Sequence, residues 1–217
     1  LYTRRNKNMK KLSYENIQIS DGDLNSKIVT GAIPYTSVES LFDINWNRPI
    51  FKCVNDSGET LAQAKCKSYN AKEFNENVFY SFLVENEVNY TFNEILTAEE
   101  RKLTNDMPLA DYVNYVSENY PEDSDTLTEI CNMYFNLKKL GDETAFVNFV
   151  HIDWIEACEG HGAGMLLVNA LKEKYSAIFL YSDSEVESYW KEKHNFKEIL
   201  NGHLYWSDNK ELNKILG

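Results

Sequence analysis

The pattern of apolar and polar positions is clearest between residues 145 and 206. An apolar run at 146–155 predicts a buried strand, and helical spacing of apolar positions follows at 162–174. After that helix the pattern predicts a short buried strand at 177–181 and a second helix at 185–194. A hairpin follows, with strands at 196–199 and 203–206 on either side of Asn201-Gly202. Strands and helices therefore alternate here, as in an α/β domain.

The N-terminal part has a fainter pattern. Residues 16–20 are interpreted as a first strand, and Thr36 with Glu39 forms a capping-box pattern that predicts a helix through about residue 44. The segments 50–54 and 60–68 flank a turn and predict a hairpin. A strand, a helix and a hairpin are thus expected before residue 70.

The next predicted strand begins only at about residue 145, so residues 70–144 form an insertion. This insertion is expected to fold, because long structureless loops are uncommon in compact domains. It is predicted to contain a strand at 88–92, a helix from residue 97 and a helix at 109–119. A third helix is predicted at 126–140, with Gly141 as the residue that ends it.

The most specific segment is Glu-Gly-His-Gly-Ala-Gly at 159–164, between the apolar run and the first helix. Glycines at alternate positions let the backbone turn tightly. Amide N–H groups ahead of a helix N-terminus then form a site for an anion such as a pyrophosphate. The dinucleotide fingerprint does not fit, because it requires a glycine where Met165 stands, and the nucleotide-triphosphate loop requires Lys and Ser or Thr after its last glycine. The alternative is a tight turn without a ligand.

This loop resembles that of the GNAT family of N-acetyltransferases, whose pattern is Arg/Gln-x-x-Gly-x-Gly/Ala between a strand and a helix. Gly162 and Gly164 match the two small positions, and Glu159 stands where Arg or Gln is usual. The ending at 189–196, Tyr-Trp-Lys-Glu-Lys-His-Asn-Phe, is similar to the family's Tyr-Glu-Lys-Leu-Gly-Phe, with Asn195 in the Gly position.

The resemblance covers residues 145–206 and implies a fold. The expected class is α/β of the α+β type, a mixed central sheet flanked by helices, with the helical insertion at 70–144 between strands three and four. Residues 15–217 are expected to form a single domain after an N-terminal extension or tag-like tail at 1–14.

The resemblance also implies acetyl-CoA as co-substrate, with no metal. Backbone groups near Trp154 and Ile155 would hold the pantetheine arm, and the loop amides would hold the pyrophosphate. The residues so assigned to the cofactor are Trp154, Ile155, Glu159, Gly160, His161, Gly162, Ala163, Gly164 and Met165.

Acetyl transfer to an amine also needs a base for the ammonium proton. Family bases often come from the strand before the loop, where His151 and Asp153 share one face. His151 is the better candidate because imidazole titrates near neutral pH. Asp153 is expected to orient it only through a different geometry, because residues two apart diverge along a strand. The alternatives are a noncatalytic histidine and a remote carboxylate reached through water.

The reaction further needs an acid for the leaving thiolate. The family's acid is usually a Tyr five residues before the closing Phe, where Lys191 stands here. A slip of register brings Tyr189 into the role, since a phenol can protonate a thiolate. Lys191, Tyr181 or the absence of any acid are the alternatives.

The composition bears on partners. The net charge is −12, from 34 acidic against 22 basic residues, so nucleic acid is not an expected partner. A cationic amine is favoured as acceptor, although acidic surfaces also aid solubility in general. The four cysteines lack paired metal spacing, and no run of about 18 apolar residues exists, so a cytoplasmic protein without a membrane span is expected.

Two functions are considered. The first is an N-acetyltransferase in which a primary amine of a small cationic molecule or a protein attacks acetyl-CoA directly in a ternary complex. The second is a catalytically impaired GNAT-like acidic binding or inhibitor protein, favoured by Glu159 and the displaced tyrosine. The insertion is either a substrate flap or homodimer surface, or an elaboration that only covers the sheet.

Overall fold

The computed structural model describes residues 16–17, 36–43, 48–55, 58–143, 148–157 and 162–217, with side chains described from Phe51 onward for most of these. The predicted tail at 1–14 and residues 18–20 lie outside these ranges, as do Glu159, Gly160 and His161. The chain divides into two compact units: a sheet unit, Leu1–Ser68 with Asn148–Asp208, and a helical unit, Tyr69–Val147 with Asn209–Gly217. That both belong to one domain at 15–217 stays a prediction.

The sheet unit contains one mixed sheet, with its described strands in the order β1-β2-β3-β4-β5-β6-β8-β7. The strands are β1 Asn16–Ile17, β2 Thr36–Asp43, β3 Arg48–Asn55, β4 Thr60–Tyr69, β5 Phe149–Ala157, β6 Ala177–Tyr181, β7 Lys197–Leu200 and β8 His203–Ser207. β2, β3 and β4 form an antiparallel meander, β5 and β6 are parallel, and β8 is antiparallel to both β6 and β7. The predicted class, an α/β fold with a mixed central sheet flanked by helices, is confirmed.

The helices are α1 Ala71–Phe74, α2 Glu85–Tyr90, α3 Ala98–Thr104, α4 Leu109–Asn119, α5 Asp125–Glu143, α6 Ala163–Lys174, α7 Ser184–His194 and α8 Lys210–Leu216. Two π-helical segments, Asn75–Val84 and Thr91–Ile95, lie between α1 and α3. The insertion is therefore helical, and it lies in chain order between β4 and β5, the third and fourth strands of the predicted scheme. Within the described ranges, every helix is too short or too polar to cross a membrane.

The core of the sheet unit holds α6 in place. Leu167, Val168 and Leu171 form one fully buried face of this helix. They belong to one cluster with strand residues that include Ile178 and Leu180. Burial of each such side chain contributes about 1.5–3 kcal/mol, so the position of the first turn of α6 is fixed by many contacts behind it.

β5, the strand before the predicted loop, has two different halves. It pairs with β6 as far as Ile152↔Leu180, and then continues to Ala157 beyond that ladder. Ile152 belongs to the core cluster and Ile155 packs against it. Val150, Ile152 and Glu156, at alternating positions, are all buried, as the two-residue period of a strand predicts.

The helical unit is organised by helix caps. Asn70 and Glu73 form a capping box at α1, and Thr97 and Glu100 form another at α3. The predicted helices from residue 97, at 109–119 and at 126–140 correspond to α3, α4 and α5. Side chains buried on α5 and α8 include Leu127, Ile130, Leu137, Leu212 and Leu216.

Three local predictions are wrong. The helix predicted from Thr36 is β2, because pairing with β3 along all 8 residues outweighs a local capping pattern. The strand predicted at 88–92 is helical, because it continues the helix that begins after Asn70. Gly141 does not end α5. It lies where the helix packs closely, and a Cβ on it would lie 3.2 Å from the backbone nitrogen of Lys72.

Candidate functional site

The described part of the predicted loop is the start of α6. Gly162 is the N-cap residue, in a left-handed conformation with φ 66° and ψ 8°. A Cβ there would meet no described atom within 4 Å, so the backbone faces open space. The first turn, Ala163-Gly164-Met165-Leu166, is uncharged. Because the first amide N–H groups of a helix have no partner within it, this end of α6 is suited to an anion.

Gly164 lies where three elements meet. A Cβ on it would lie 3.2 Å from the Cβ of Ala157, at the end of β5, and 3.6 Å from the hydroxyl of Tyr189, on α7. A side chain at this position would crowd the methyl group of Ala157, while its distance to the Tyr189 hydroxyl is that of an ordinary van der Waals contact. Gly164 thus brings the end of β5, the start of α6 and the predicted acid Tyr189 to one place, and Met165 beside it is exposed.

Trp154 and Ile155 lie in the half of β5 beyond the ladder with β6. Their side chains have different surroundings: Ile155 packs against the core, and the Trp154 ring lies under the ammonium of Lys65, 5.0 Å from its centroid. About 10 Å of strand separates Trp154 from Ala157, at about 3.3 Å per residue. The predicted pantetheine-binding residues thus lie at the strand end that precedes, in chain order, the predicted pyrophosphate-binding residues at the start of α6.

The structure brings the two predicted base residues into direct contact. His151 Nδ1 and Asp153 Oδ1 are 2.9 Å apart, and their side chains are 12% and 25% exposed. The expected divergence of the two side chains is not observed. A carboxylate at Nδ1 orients an imidazole and directs Nε2 toward a proton donor, so the pair is arranged as a base with its orienting group.

A row of rings leads away from His151 across the sheet. The His151 ring lies 5.6 Å from Phe179, Phe179 lies 5.8 Å from His203, and His203 lies 5.1 Å from Tyr181. Burial, and then the nearby His151, lower the pKa of His203. His203 was not predicted as a site residue, and its position in the closing hairpin gave no chemical signal.

On α7, Tyr189 and Lys191 have different partners. The Tyr189 hydroxyl lies 3.0 Å from His194 Nε2, and burial raises the pKa of this phenol. Lys191 forms ion pairs with Glu187 and Glu198, the second at 2.6 Å, and these hydrogen bonds raise the pKa of its ammonium. Lys191 is therefore held at the surface by carboxylates, and the Tyr189 hydroxyl is held beside the start of α6. That either residue is the acid stays a prediction.

A buried polar pair joins β4 to β5 and was not predicted. The Gln63 amide donates to Glu156 Oε1 at 2.6 Å, and both side chains are buried. Lys65, two residues further along β4, is buried as well. The signal in the sequence was polar residues inside an otherwise apolar strand, Leu-Ala-Gln-Ala-Lys-Cys at 61–66.

An acidic cleft of about 600 Å³ opens at the end of β6. It begins at Tyr181, the last ring of the row described above. The carboxylates that line it are Asp183, Glu185, Glu187 and Glu198. In the described part of the chain, no three His, Cys, Asp or Glu side chains are grouped as metal ligands.

No protein-family model matches the sequence, and no curated protein matches it. Among solved structures, the chain is similar to the apo form of an agmatine N-acetyltransferase mutant at 9% identity. The match covers 70% of this chain and 59% of that chain, with a TM-score of 0.32. A likeness of this size carries no argument about activity.

Proposed function

We propose that the protein is an N-acetyltransferase that transfers the acetyl group of acetyl-CoA to a primary amine. The observation that carries this proposal is the meeting at Gly164 of a strand end beyond its ladder, an uncharged helix N-terminus and a tyrosine hydroxyl. The N–H groups at the start of α6 can bind a pyrophosphate. An extended arm that carries amide groups can form backbone hydrogen bonds with the part of β5 beyond its ladder with β6.

The cofactor would be held by consecutive segments. Amides of Gly162, Ala163, Gly164 and Met165 bind the pyrophosphate together with Glu159, Gly160 and His161 of the loop. Backbone groups at Trp154 and Ile155 bind the pantetheine arm, which directs the thioester along β5 toward the His151–Asp153 pair. The site needs no metal for this chemistry.

The reaction is a direct attack in a ternary complex. His151, oriented by Asp153, takes a proton from the substrate ammonium. The neutral amine forms a C–N bond to the thioester carbon, and the C–S bond breaks with its electron pair on sulfur. The nitrogen, positively charged after the attack, then loses its second proton to water, and the thiolate takes a proton from water to give free CoA. The Tyr189 hydroxyl, beside Gly164, lies at the pyrophosphate end of the cofactor. Holding the reactants together contributes a large part of the rate enhancement.

The acceptor proposed is cationic, either a small molecule or a protein amine. The support is the acidic cleft at the end of β6, to which the row of rings leads from His151. Tyr181 at its mouth is exposed and can place a ring face against a cation. Nucleic acid is not proposed as a partner, because phosphates would be repelled by the same carboxylates.

The test is calorimetric titration with acetyl-CoA. Gly162→Glu introduces a carboxylate at the anion site and is expected to weaken binding by at least about 100-fold. Gly58→Glu is the matched control, because Gly58 is also left-handed, at φ 78°, with no described atom within 4 Å of its Cβ position. It lies in the turn between β3 and β4 and carries the same strain and charge. Equal binding by both variants would place the cofactor elsewhere.

A catalytically impaired acidic binding protein is the second candidate. It is favoured by Lys191, which stands at the family's acid position but is engaged by Glu187 and Glu198. Incubation with acetyl-CoA and polyamines, aminoglycosides or lysine-containing peptides distinguishes the two. Release of free thiol supports the enzyme, and tight binding of acetyl-CoA with no release for any acceptor supports the binding protein.

A further inference from the structure

Phe179 lies between two imidazoles on one face of the sheet. It is the register partner of His151 on the neighbouring strand β5, and the two ring centroids are 5.6 Å apart with 34° between the ring planes. On the side of β8, the His203 ring lies 5.8 Å from Phe179 at an angle of 21°. The phenylalanine is 1% exposed, so packing holds its ring in this position.

The His151 ring and the Phe179 ring meet face to face. Neighbouring strands are about 4.8 Å apart, and the side chains of register partners stand beside each other. The centroid distance is only slightly longer than this spacing, and the ring planes are nearer to parallel than to perpendicular. Because a cation within about 6 Å of the centre of a phenyl face is attracted to it, this contact favours an imidazolium over a neutral imidazole.

Other charged or titratable groups act on His151 as well. Asp153 contacts its Nδ1 at 2.9 Å and favours the same charged form. Across the phenyl ring, burial and then His151 lower the pKa of His203, so this second imidazole is neutral near neutral pH. On β4, burial and then the charge of Asp153 raise the pKa of the Cys66 thiol, and the Lys65 ammonium lies over a tryptophan ring. Replacing the phenyl ring leaves all of these groups in place.

We infer that Phe179 is a positioning residue for the proposed base, and that its ring face stabilises the imidazolium formed when His151 takes a proton. This inference rests on the proposed acetyl transfer. In the proton step, an N–H bond of the substrate ammonium breaks and leaves its electron pair on the amine nitrogen. An N–H bond forms at His151 Nε2. The positive charge thus moves from the substrate to a ring that Phe179 and Asp153 both stabilise.

The charge effect is tested first without any substrate. The ring C–H signals of His151 are followed by NMR against pH in the free protein, and they are assigned by their absence from His151→Asn. Phe179→Leu removes the phenyl face but stays apolar, and the midpoint of this titration is expected to fall by about 0.5 pH unit.

Phe51→Leu is the matched control. Phe51 is 2% exposed, and its ring contacts Tyr175 instead of a histidine, so the same loss of core packing is expected without a shift of the His151 midpoint. A ring-fluorinated phenylalanine at position 179 keeps the shape of the ring and weakens its attraction for a cation, so it is expected to lower the midpoint without a cavity. An unchanged midpoint in Phe179→Leu and in the fluorinated protein, or an equal shift in Phe51→Leu, would overturn the inference while leaving the proposed function untouched.

The pH profile of kcat/KM then separates this role from packing during turnover. The acid limb of the profile reports protonation of the base in the free enzyme. Phe179→Leu is expected to move this limb to lower pH by the same shift and to lower the plateau about two-fold, because the base is weaker. A lower plateau with an unmoved limb would show a merely structural role and overturn the inference. If the wild-type protein transfers no acetyl group to any acceptor, the proposed function fails, and the titration of the free protein still decides whether Phe179 stabilises the charge on His151.

Discussion

The two units differ in what their buried polar side chains bind. In the helical unit they donate to nearby backbone carbonyls: Asn75 to Tyr134, Thr91 to Glu87, Thr104 to Glu100 and Ser124 to Pro121. In the sheet unit the buried Gln63 and Glu156 bind each other, and the buried His194 binds the exposed Tyr189. His151 and Asp153 form a third side-chain pair that is partly exposed.

This difference indicates where chemistry is expected. A hydroxyl or amide bonded to a helix carbonyl satisfies local structure and has no reactive partner. A buried or half-buried pair of polar side chains is less favourable for folding than apolar packing, because its desolvation is only partly offset. Gln63–Glu156 and His151–Asp153 on the strands and His194–Tyr189 on α7 are therefore the pairs of the sheet unit at which a functional role is tested first.

The largest expected effect breaks the His151–Asp153 pair. His151→Asn removes the proposed base and is expected to lower kcat about 10²- to 10⁴-fold, the usual contribution of general base catalysis. Asp153→Asn keeps the ring and removes only its orienting charge, so a smaller loss is expected. Steady-state rates of thiol release measure both. An unchanged rate in His151→Asn would move the base to a carboxylate reached through water.

The second prediction concerns Glu100, the corresponding polar centre of the helical unit. Its carboxylate accepts hydrogen bonds from Thr97, Tyr115 and Tyr120, the last at 2.7 Å. Glu100→Gln removes a charged acceptor and is expected to lower Tm by a few degrees, while kcat for acetyl transfer stays at the wild-type value. A loss of turnover at unchanged Tm would contradict the division between the units.

The smallest effects are in the pH dependence of stability. Hydrogen bonds from Thr97 and then Tyr120 lower the pKa of Glu100 to about 2, so its contribution is lost as pH falls from 4.5 to about 2. The pKa of His194 is lowered from 6.5 to about 4, because burial disfavours the charged ring. The unfolded chain therefore binds this proton first, and stability falls as pH drops from 6.5 to about 4.

Denaturant unfolding at several pH values distinguishes the two groups. His194→Gln is expected to reduce the pH dependence of the unfolding free energy only between pH 6.5 and about 4. Glu100→Gln is expected to reduce it only between pH 4.5 and about 2. A variant that reduces the pH dependence of the unfolding free energy in both pH ranges would show that the two groups do not titrate independently.

Local patterns predicted the second half of the sheet unit well. The order β5, α6, β6, α7, β7, β8 follows from apolar spacing, caps and the Asn201-Gly202 turn, which are properties of neighbouring residues. β2 was predicted as a helix because its capping pattern is local, whereas its pairing with β3, itself predicted as a strand at 50–54, is identified only by the fold. The N-terminal part was therefore predicted less well, because its strands are defined by long-range pairing.

The candidate site was predictable to the same extent. The loop glycines and Tyr189 were found from the motif, and the structure places Gly164 and Tyr189 together. The His151–Asp153 hydrogen bond was not expected, because side chains two residues apart on a strand share a face but diverge along it. Two further contacts, Gln63 with Glu156 and His194 with Tyr189, could not be predicted, since neither pair belongs to a sequence motif.

Helix α8 has a consequence for synthesis on the ribosome. Its residues 210–216 come last among the described elements, yet they belong to the same compact unit as 69–147. Domains generally fold as they emerge, N-terminal part first. The sheet is incomplete until β8, which ends at Ser207, has left the exit tunnel, and the helical unit is incomplete until α8 has followed it. Both units therefore complete their folding late, and a chaperone that binds exposed β3 and β4 would have the interval before β8 emerges in which to act.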